Sequence, residues 1–179
     1  GQGSNGLFIH GDGYYDISKN LINNYEIFKN HWRSITHIIY PLYLTPIFIF
    51  DLNPSIYIFF LHHLFVSLTL ICIYFIGKFL GGIVVGLLAS LIYCSNLFIA
   101  YWFNFTLADT AIHFHLSIFF LYFIYFIKYK NFKNFILLLL LGILLSLIRP
   151  EGIVYFFLFL VYYFFIKTAE RFGFYKSIF

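Results

Sequence analysis

The sequence predicts an all-α protein: a polytopic bundle of transmembrane helices, preceded by an extracytoplasmic loop of short interfacial helices. Of its 179 residues, 62% are hydrophobic and 10% are charged, whereas a soluble domain carries about 25% charged residues. The apolar residues form long continuous runs, which suit helices better than the alternating strands of a membrane barrel. Lys and Arg occur in short clusters between these runs, a pattern typical of membrane topology rather than of nucleic-acid binding.

Residues 1–54 are polar, aromatic and interrupted by proline, and we interpret them as the first extracytoplasmic loop. Two short amphipathic helices are predicted there, over residues 14–23 and 25–39. The stretch YPLYLTPIF (40–48) follows, and Pro41, Pro46 and Pro54 are expected to break any helix in this part. Since the sequence does not begin with Met, we expect it to be part of a longer protein whose first helix lies upstream.

Five apolar segments predict transmembrane helices across residues 55–167. They cover residues of about 55–76, 81–100, 106–127, 134–148 and 152–166. A helix needs about 20 residues to cross the bilayer, so the last two are short and their shared turn at 149–152 is expected below the headgroups. The remaining residues, 168–179, are basic and aromatic, and we interpret them as a cytoplasmic interfacial tail.

The distribution of charges predicts the orientation of the helices. With Lys78 in the cytoplasm, most of the 11 Lys and Arg residues fall on that side, as the positive-inside rule requires. They are Lys78, Lys128, Lys130, Lys133, Lys167, Arg171 and Lys176. The acidic residues then fall outside, except for Glu170: Asp12, Asp16, Glu26, Asp51, Asp109 and Glu151. We therefore expect the reactive groups on the extracytoplasmic face of an inner membrane.

Asp109 and His113 are four residues apart in the third predicted span, so they share one helix face. Ionisable groups at this depth usually face a cavity or a partner. The pair could contribute to a divalent metal site, or Asp109 could begin the helix while a neutral His113 bonds a neighbour. His115 points elsewhere and is interpreted as structural, and we expect buried, hydrogen-bonded roles for His62 and His63, of which at most one can face the interior.

Arg149-Pro-Glu-Gly152 joins the last two predicted helices. Pro150 ends a helix, and Glu151 suits the first turn of the next one. An isolated guanidinium near the outer leaflet can bind phosphate through paired hydrogen bonds. An ion pair of Arg149 with Glu151 or Asp109 that closes the turn is the equal alternative.

The stretch HGDGYYD (10–16) brings two carboxylates and two glycines together. Asp12 lies between the glycines, and a loop carboxylate pressed against a membrane can act as a general base. Asp, Gly and Tyr are also ordinary turn residues. The local pattern by itself therefore favours a solvated turn.

The order of these motifs resembles the GT-C superfamily of polytopic membrane glycosyltransferases, including the protein O-mannosyltransferase-like and aminoarabinose-transferase-like enzymes. The resemblance covers nearly the whole chain. Its motifs are GDGYYDISKNL (11–21), YPLY (40–43), YFIGKFLGG (74–82), GLLASLIY (86–93), LADT (107–110) and LSLIRPEG (145–152). The residue after Asp12 is Gly13 rather than the Glu of some members, and Asp109 stands where Glu is frequent.

The resemblance implies an inverting enzyme that transfers a sugar from a polyprenyl-phosphate donor to a lipid, glycan or protein acceptor. Asp12 would be the catalytic base. Tyr15, Asp109, His113, Arg149 and Glu151 would bind substrate, and any cofactor beyond a possible metal at Asp109 and His113 is unknown. The alternatives are a lipid-carrier flippase, another transporter, or a non-catalytic subunit of polysaccharide assembly.

Overall fold

The computed structural model describes residues 13–23, 37–96, 108–129 and 131–171, with residues 166–171 described for the backbone alone. Within these ranges the chain forms helices and short connections, without strands, so the all-α prediction is confirmed. The helices are α1 (Tyr14–Asn23), α2 (Ile39–Ile49), α3 (Pro54–Cys94), α4 (Asp109–Tyr129), α5 (Phe132–Ile148) and α6 (Gly152–Arg171).

Helix α1 has the predicted bounds and begins at a glycine turn. Gly13 has a φ of 79°, and its carbonyl accepts the amide of Ile17 at 3.0 Å. Positive φ is easy for glycine and costly for other residues. The buried Tyr14 and Ile17 lie on the face that packs against α2.

Helix α2 contradicts the prediction that prolines interrupt residues 40–48. Pro41 lies in the first turn, where amides lack an intrahelical partner in any case. Pro46 lies inside the helix and cannot donate to the carbonyl of Leu42. The hydroxyl of Thr45 donates to that carbonyl instead, at 2.8 Å, so the helix continues across the proline. Of the neighbouring predicted helix over 25–39, residues 25–36 lie outside the described residues.

Helix α3 begins as its sequence indicates, with Pro54 in its first position and the Asn53 side chain accepting the amide of Ile56. It then doubles back at Gly81 and Gly82, whose backbone angles are not helical. The hydroxyl of Ser90 reaches the carbonyl of Leu70 at 3.3 Å across the two arms. The predicted break between the spans 55–76 and 81–100 is helical in the structure, and the chain bends at Gly81 and Gly82 instead. The two spans are therefore the arms of one hairpin, and the second arm ends at Cys94.

Small residues allow these two arms to approach each other closely. A Cβ at Gly77 would lie 2.8 Å from the Cα of Gly86, and a Cβ at Gly86 would lie 2.6 Å from the carbonyl oxygen of Tyr74. Both distances are too short for any side chain. The contact between the arms therefore depends on glycine at both positions.

The remaining helices complete the packing. Helix α4 packs on α3 and α5, and α5 also packs on α6 and α2. A cluster at one end includes Tyr14, Tyr40, Ala108, Ala111 and Ile148, while Phe119, Phe126, Leu138 and Phe159 form a second cluster among α4, α5 and α6. Helix α6 runs to Arg171, beyond the predicted limit of 166.

Two helices among the described residues, α3 and α4, are long and apolar enough to cross a membrane by length and composition. Their outward residues are largely apolar and exposed, including Ile83, Val84, Leu87 and Ile92. Lipid would cover such surfaces in a bilayer. That five segments span the membrane remains a prediction.

We expect Gly86→Ala to lower the free energy of unfolding in detergent by about 1–3 kcal/mol, because the added methyl group would force the arms of α3 apart. At an exposed helix position, Gly→Ala would instead raise the free energy of unfolding, by at most about 1 kcal/mol. A decrease therefore indicates that Gly86 lies in the close contact. Thermal unfolding followed by circular dichroism measures it. Leu88→Ala, at an exposed position of the same arm, serves as the control, and equal stability of wild type and Gly86→Ala would contradict the packing.

Candidate functional site

The candidate site lies where the turn between α5 and α6 meets the start of α4. Helix α5 ends at Ile148, and Arg149 has an extended backbone. The amide of Gly152 donates to the carbonyl of Arg149 at 2.9 Å, which closes the turn. A Cβ at Gly152 would lie 2.3 Å from the carbonyl oxygen of Leu145, so glycine lets α6 begin directly against α5. The predicted helix end before Pro150 is confirmed.

Three charged side chains meet at this turn. The Nη1 of Arg149 donates to the Oδ1 of Asp109 at 2.5 Å, and the Nε of Arg149 lies 3.5 Å from the Oε2 of Glu151. The side chains of Arg149 and Asp109 are 31% and 34% exposed, and that of Glu151 is 62% exposed. The ion pairs that the sequence offered as an alternative are therefore both present, and the one with Asp109 is the shorter and less exposed.

A buried aromatic layer lies next to this trio. Tyr14 contacts Tyr40 edge to face with ring centroids 5.1 Å apart. Burial raises the pKa of the Tyr40 phenol far above its ordinary value, and the neighbouring Tyr14 and Asp109 raise it further. The phenol therefore stays protonated, and its oxygen lies 2.8 Å from the Nε2 of His62.

The histidines of α3 and α4 have defined partners. His62 is buried, as expected, but His63 is exposed and bonds the carbonyl of Phe59 at 2.7 Å. The expectation of a buried role for His63 is wrong, because adjacent helix positions point about 100° apart. The buried His115 bonds the carbonyl of Ala111 at 2.7 Å and the hydroxyl of Tyr43 at 2.9 Å, in agreement with a structural role.

His113 lies one helical turn beyond Asp109 and extends the polar face of α4 into the bundle. Its Nδ1 lies 3.3 Å from the hydroxyl of Tyr93 on the second arm of α3, and Thr69 of the first arm lies close to that hydroxyl. The three side chains form a polar line that starts beside the charged trio. Such a line inside an apolar bundle is typical of a functional cavity or of a specific helix contact.

A metal at Asp109 and His113 would need further ligands. The described part of the chain contains no group of three or more His, Cys, Asp or Glu side chains arranged to hold an ion. The Oδ1 of Asp109 is bonded to Arg149, and the Nδ1 of His113 contacts Tyr93. A bound metal would therefore have to take ligands from substrate or from residues outside the described ranges.

The other predicted site residues lie at the start of the chain. Asp12, the predicted base, is outside the described residues. Tyr15 packs against Phe48 of α2, with ring centroids 4.9 Å apart, and burial, together with the charge of Asp16, raises its pKa. Of the predicted set, the structure brings together Asp109, Arg149 and Glu151, with His113 one turn away, while Tyr15 faces α2.

Tyr40 and Tyr93 were not among the site residues expected from the sequence. The signal that could have found them is the set of histidines within apolar helices, because a histidine at such depth needs a hydrogen-bond partner. Tyrosine was the most abundant hydroxyl in the chain, with 16 residues. Which tyrosine meets which histidine depended on helix packing.

Comparison with known proteins gives no relative: no family model, no curated protein and no solved structure matches this chain.

A double-mutant cycle of Asp109→Asn and Arg149→Gln should give a coupling energy of about 1 kcal/mol in the free energy of unfolding, because the two side chains share a short, partly buried ion pair. Denaturation in detergent measures the four proteins. The matched cycle of Glu151→Gln with Arg149→Gln should give a coupling energy of roughly a few tenths of a kcal/mol, because that ion pair is longer and more exposed. Equal coupling in both cycles would contradict the assignment.

Proposed function

We propose that this chain belongs to a polytopic membrane glycosyltransferase of the inverting GT-C type. It transfers a sugar from a polyprenyl-phosphate donor to a lipid, glycan or protein acceptor on the extracytoplasmic side of an inner membrane. The donor class and the roles of the residues follow from the resemblance of the sequence motifs. The geometry of the described residues supports the proposal at one point in particular.

That supporting observation is the position of the start of α1. Tyr14, two residues after Asp12, is buried in the same cluster as Ala108 and Ile148, which directly precede Asp109 and Arg149 in the sequence. Tyr14 contacts Tyr40, and Asp109 lies close enough to Tyr40 to raise the pKa of its phenol, so α1 begins on the side of the bundle that carries the charged trio. Asp12, the proposed base, precedes this helix start by two residues in the sequence.

The proposed reaction is a direct displacement at the anomeric carbon. The carboxylate of Asp12 takes the proton of an acceptor hydroxyl, and the acceptor oxygen forms a bond to that carbon. The bond from the carbon to the phosphate oxygen breaks, and polyprenyl phosphate leaves with the bonding electrons. Negative charge grows on the departing phosphate, and a preorganised cation such as Arg149 stabilises it.

The guanidinium of Arg149 can serve the phosphate without losing its present partners. Its described ion pairs use Nη1 and Nε, and the group has five N–H donors in all. The donors on Nη2 are therefore open to a phosphate oxygen. Asp109 and Glu151 would fix the orientation of the guanidinium, and His113 with Tyr93 would line the inner side of the acceptor site.

The alternative is a non-catalytic or transport membrane protein, such as a lipid-carrier flippase or a polysaccharide-assembly subunit. One observation favours it: Arg149 already has two carboxylate partners, which is what a purely structural turn requires. A structural role of the trio predicts that its variants lose stability and retain affinity for donor.

In the full-length protein, we expect Asp12→Asn to lower sugar transfer by roughly 10²–10⁴-fold, because the acceptor would lose its general base. Transfer from a panel of polyprenyl-phosphate sugars to acceptor, with donor binding measured in parallel, tests this. Donor affinity should be unchanged. The control is Asp51→Asn. Asp51 is exposed and has a positive φ, a conformation that asparagine also adopts readily. Normal transfer by Asp12→Asn would exclude the proposed base.

Arg149→Gln should weaken binding of polyprenyl phosphate by roughly tenfold or more, because charge-assisted hydrogen bonds to the phosphate would be lost. Binding of polyprenyl phosphate to the protein in nanodiscs measures the effect. Lys19→Gln, which removes an exposed cation from α1, is the matched control. Unchanged affinity together with reduced stability would assign Arg149 to the structure of the turn.

A further inference from the structure

A second polar region lies at the end of the bundle opposite the charged trio. We call it the lysine end and define it by Lys78 at the bend of α3, Lys128 at the end of α4 and Lys133 at the start of α5. All three side chains are exposed. None of them forms an ion pair with another described residue.

The described carboxylates are separated from the lysine end along the bundle axis. The described carboxylates lie toward the other end, near the starts of α1, α3, α4 and α6: Asp16, Asp51, Asp109 and Glu151. Helix α4 has 21 residues and is about 30 Å long, which matches the thickness of the hydrocarbon core, about 30 Å. The lysine end therefore lies at headgroup depth if the trio lies at the opposite surface.

Aromatic rings support the ammonium groups at this end. The Nζ of Lys128 lies 4.8 Å from the ring centroid of Phe79 and 5.3 Å from that of Tyr129. The Nζ of Lys78 lies 5.9 Å from the ring centroid of Tyr74. Aromatic rings beside lysine are typical of the membrane–water interface. The contact of Lys128 with Phe79 also joins the bend of α3 to the end of α4.

The start of α5 adds to the positive potential. Asn131 caps the helix by accepting the amide of Lys133 at 3.0 Å, and the first turn carries the positive end of the helix dipole. The three lysines of the lysine end, which belong to separate helices, thus lie at one level of the membrane. No described carboxylate pairs with any of them. Aromatic residues are enriched at the level of the lipid headgroups, so their presence beside these lysines favours a lipid phosphate over a nucleic acid or a soluble acidic protein.

We propose that the lysine end binds the phosphate headgroup of an anionic membrane lipid, held among Lys78 near the bend of α3, Lys128 in the last turn of α4 and Lys133 in the first turn of α5. The acyl chains of that lipid lie along the exposed apolar residues of α3, such as Leu80 and Ile83. The site is independent of the proposed transferase activity. It gives the cytoplasmic end of the bundle a preferred lipid.

The test uses the full chain in nanodiscs of phosphatidylcholine with and without phosphatidylglycerol, followed by native mass spectrometry of the retained lipids. The wild type should retain phosphatidylglycerol preferentially. Each Lys→Gln change among Lys78, Lys128 and Lys133 should reduce this preference about fivefold, and the triple variant should abolish it. Lys19→Gln, at the other end, should retain it.

Two further measurements keep the test decisive. If the triple variant does not fold, Lys128→Gln alone decides, since its ammonium contacts both α3 and α4. Inorganic phosphate should displace the lipid no better than chloride at equal ionic strength; stronger displacement would indicate a free-phosphate site instead. Equal retention of both lipids by the wild type, or an unchanged preference in Lys128→Gln, would overturn the proposal.

Discussion

The ion pair between Arg149 and Asp109 is the contact on which the arrangement of the candidate site depends. It joins two helix junctions that are 40 residues apart in sequence, and it fixes the α5–α6 turn against the first turn of α4. Partial burial strengthens the pair, because water screens the two charges less than at an open surface. The same burial makes it costly to remove one partner and leave the other.

Tyrosine–histidine contacts supply much of the remaining polar structure of the described bundle. Tyr40–His62, Tyr43–His115 and Tyr93–His113 each join different helices or helix arms. In an apolar surrounding a lost hydrogen bond is not replaced by water, so these pairs specify which helix faces meet. Helix packing and the polar environment of the site are therefore set by the same residues.

The bend of α3 shows where sequence patterns predict structure well. The sequence placed a break between two apolar runs at residues 77–80, and the structure reverses direction just after them, at Gly81 and Gly82. Residues 40–48 show the opposite case, since their prolines predicted a break and the structure has a helix. There the hydroxyl of Thr45 donates to the backbone carbonyl that Pro46, lacking an N–H, cannot bond. The difference is that glycine acts through local backbone angles, whereas the effect of a proline depends on what replaces its missing donor.

The sequence by itself determined the all-helical class, the bounds of α1, the helix end before Pro150 and the segregation of charge along the chain. These follow from hydropathy, backbone preference and charge, which act locally. Tertiary structure alone decided that Arg149 pairs with Asp109 and Glu151, that His62 rather than His63 is buried, and which tyrosine meets each histidine. Those outcomes depend on the rotation and approach of whole helices, which short-range sequence patterns leave open because many faces of an apolar helix are almost equally hydrophobic.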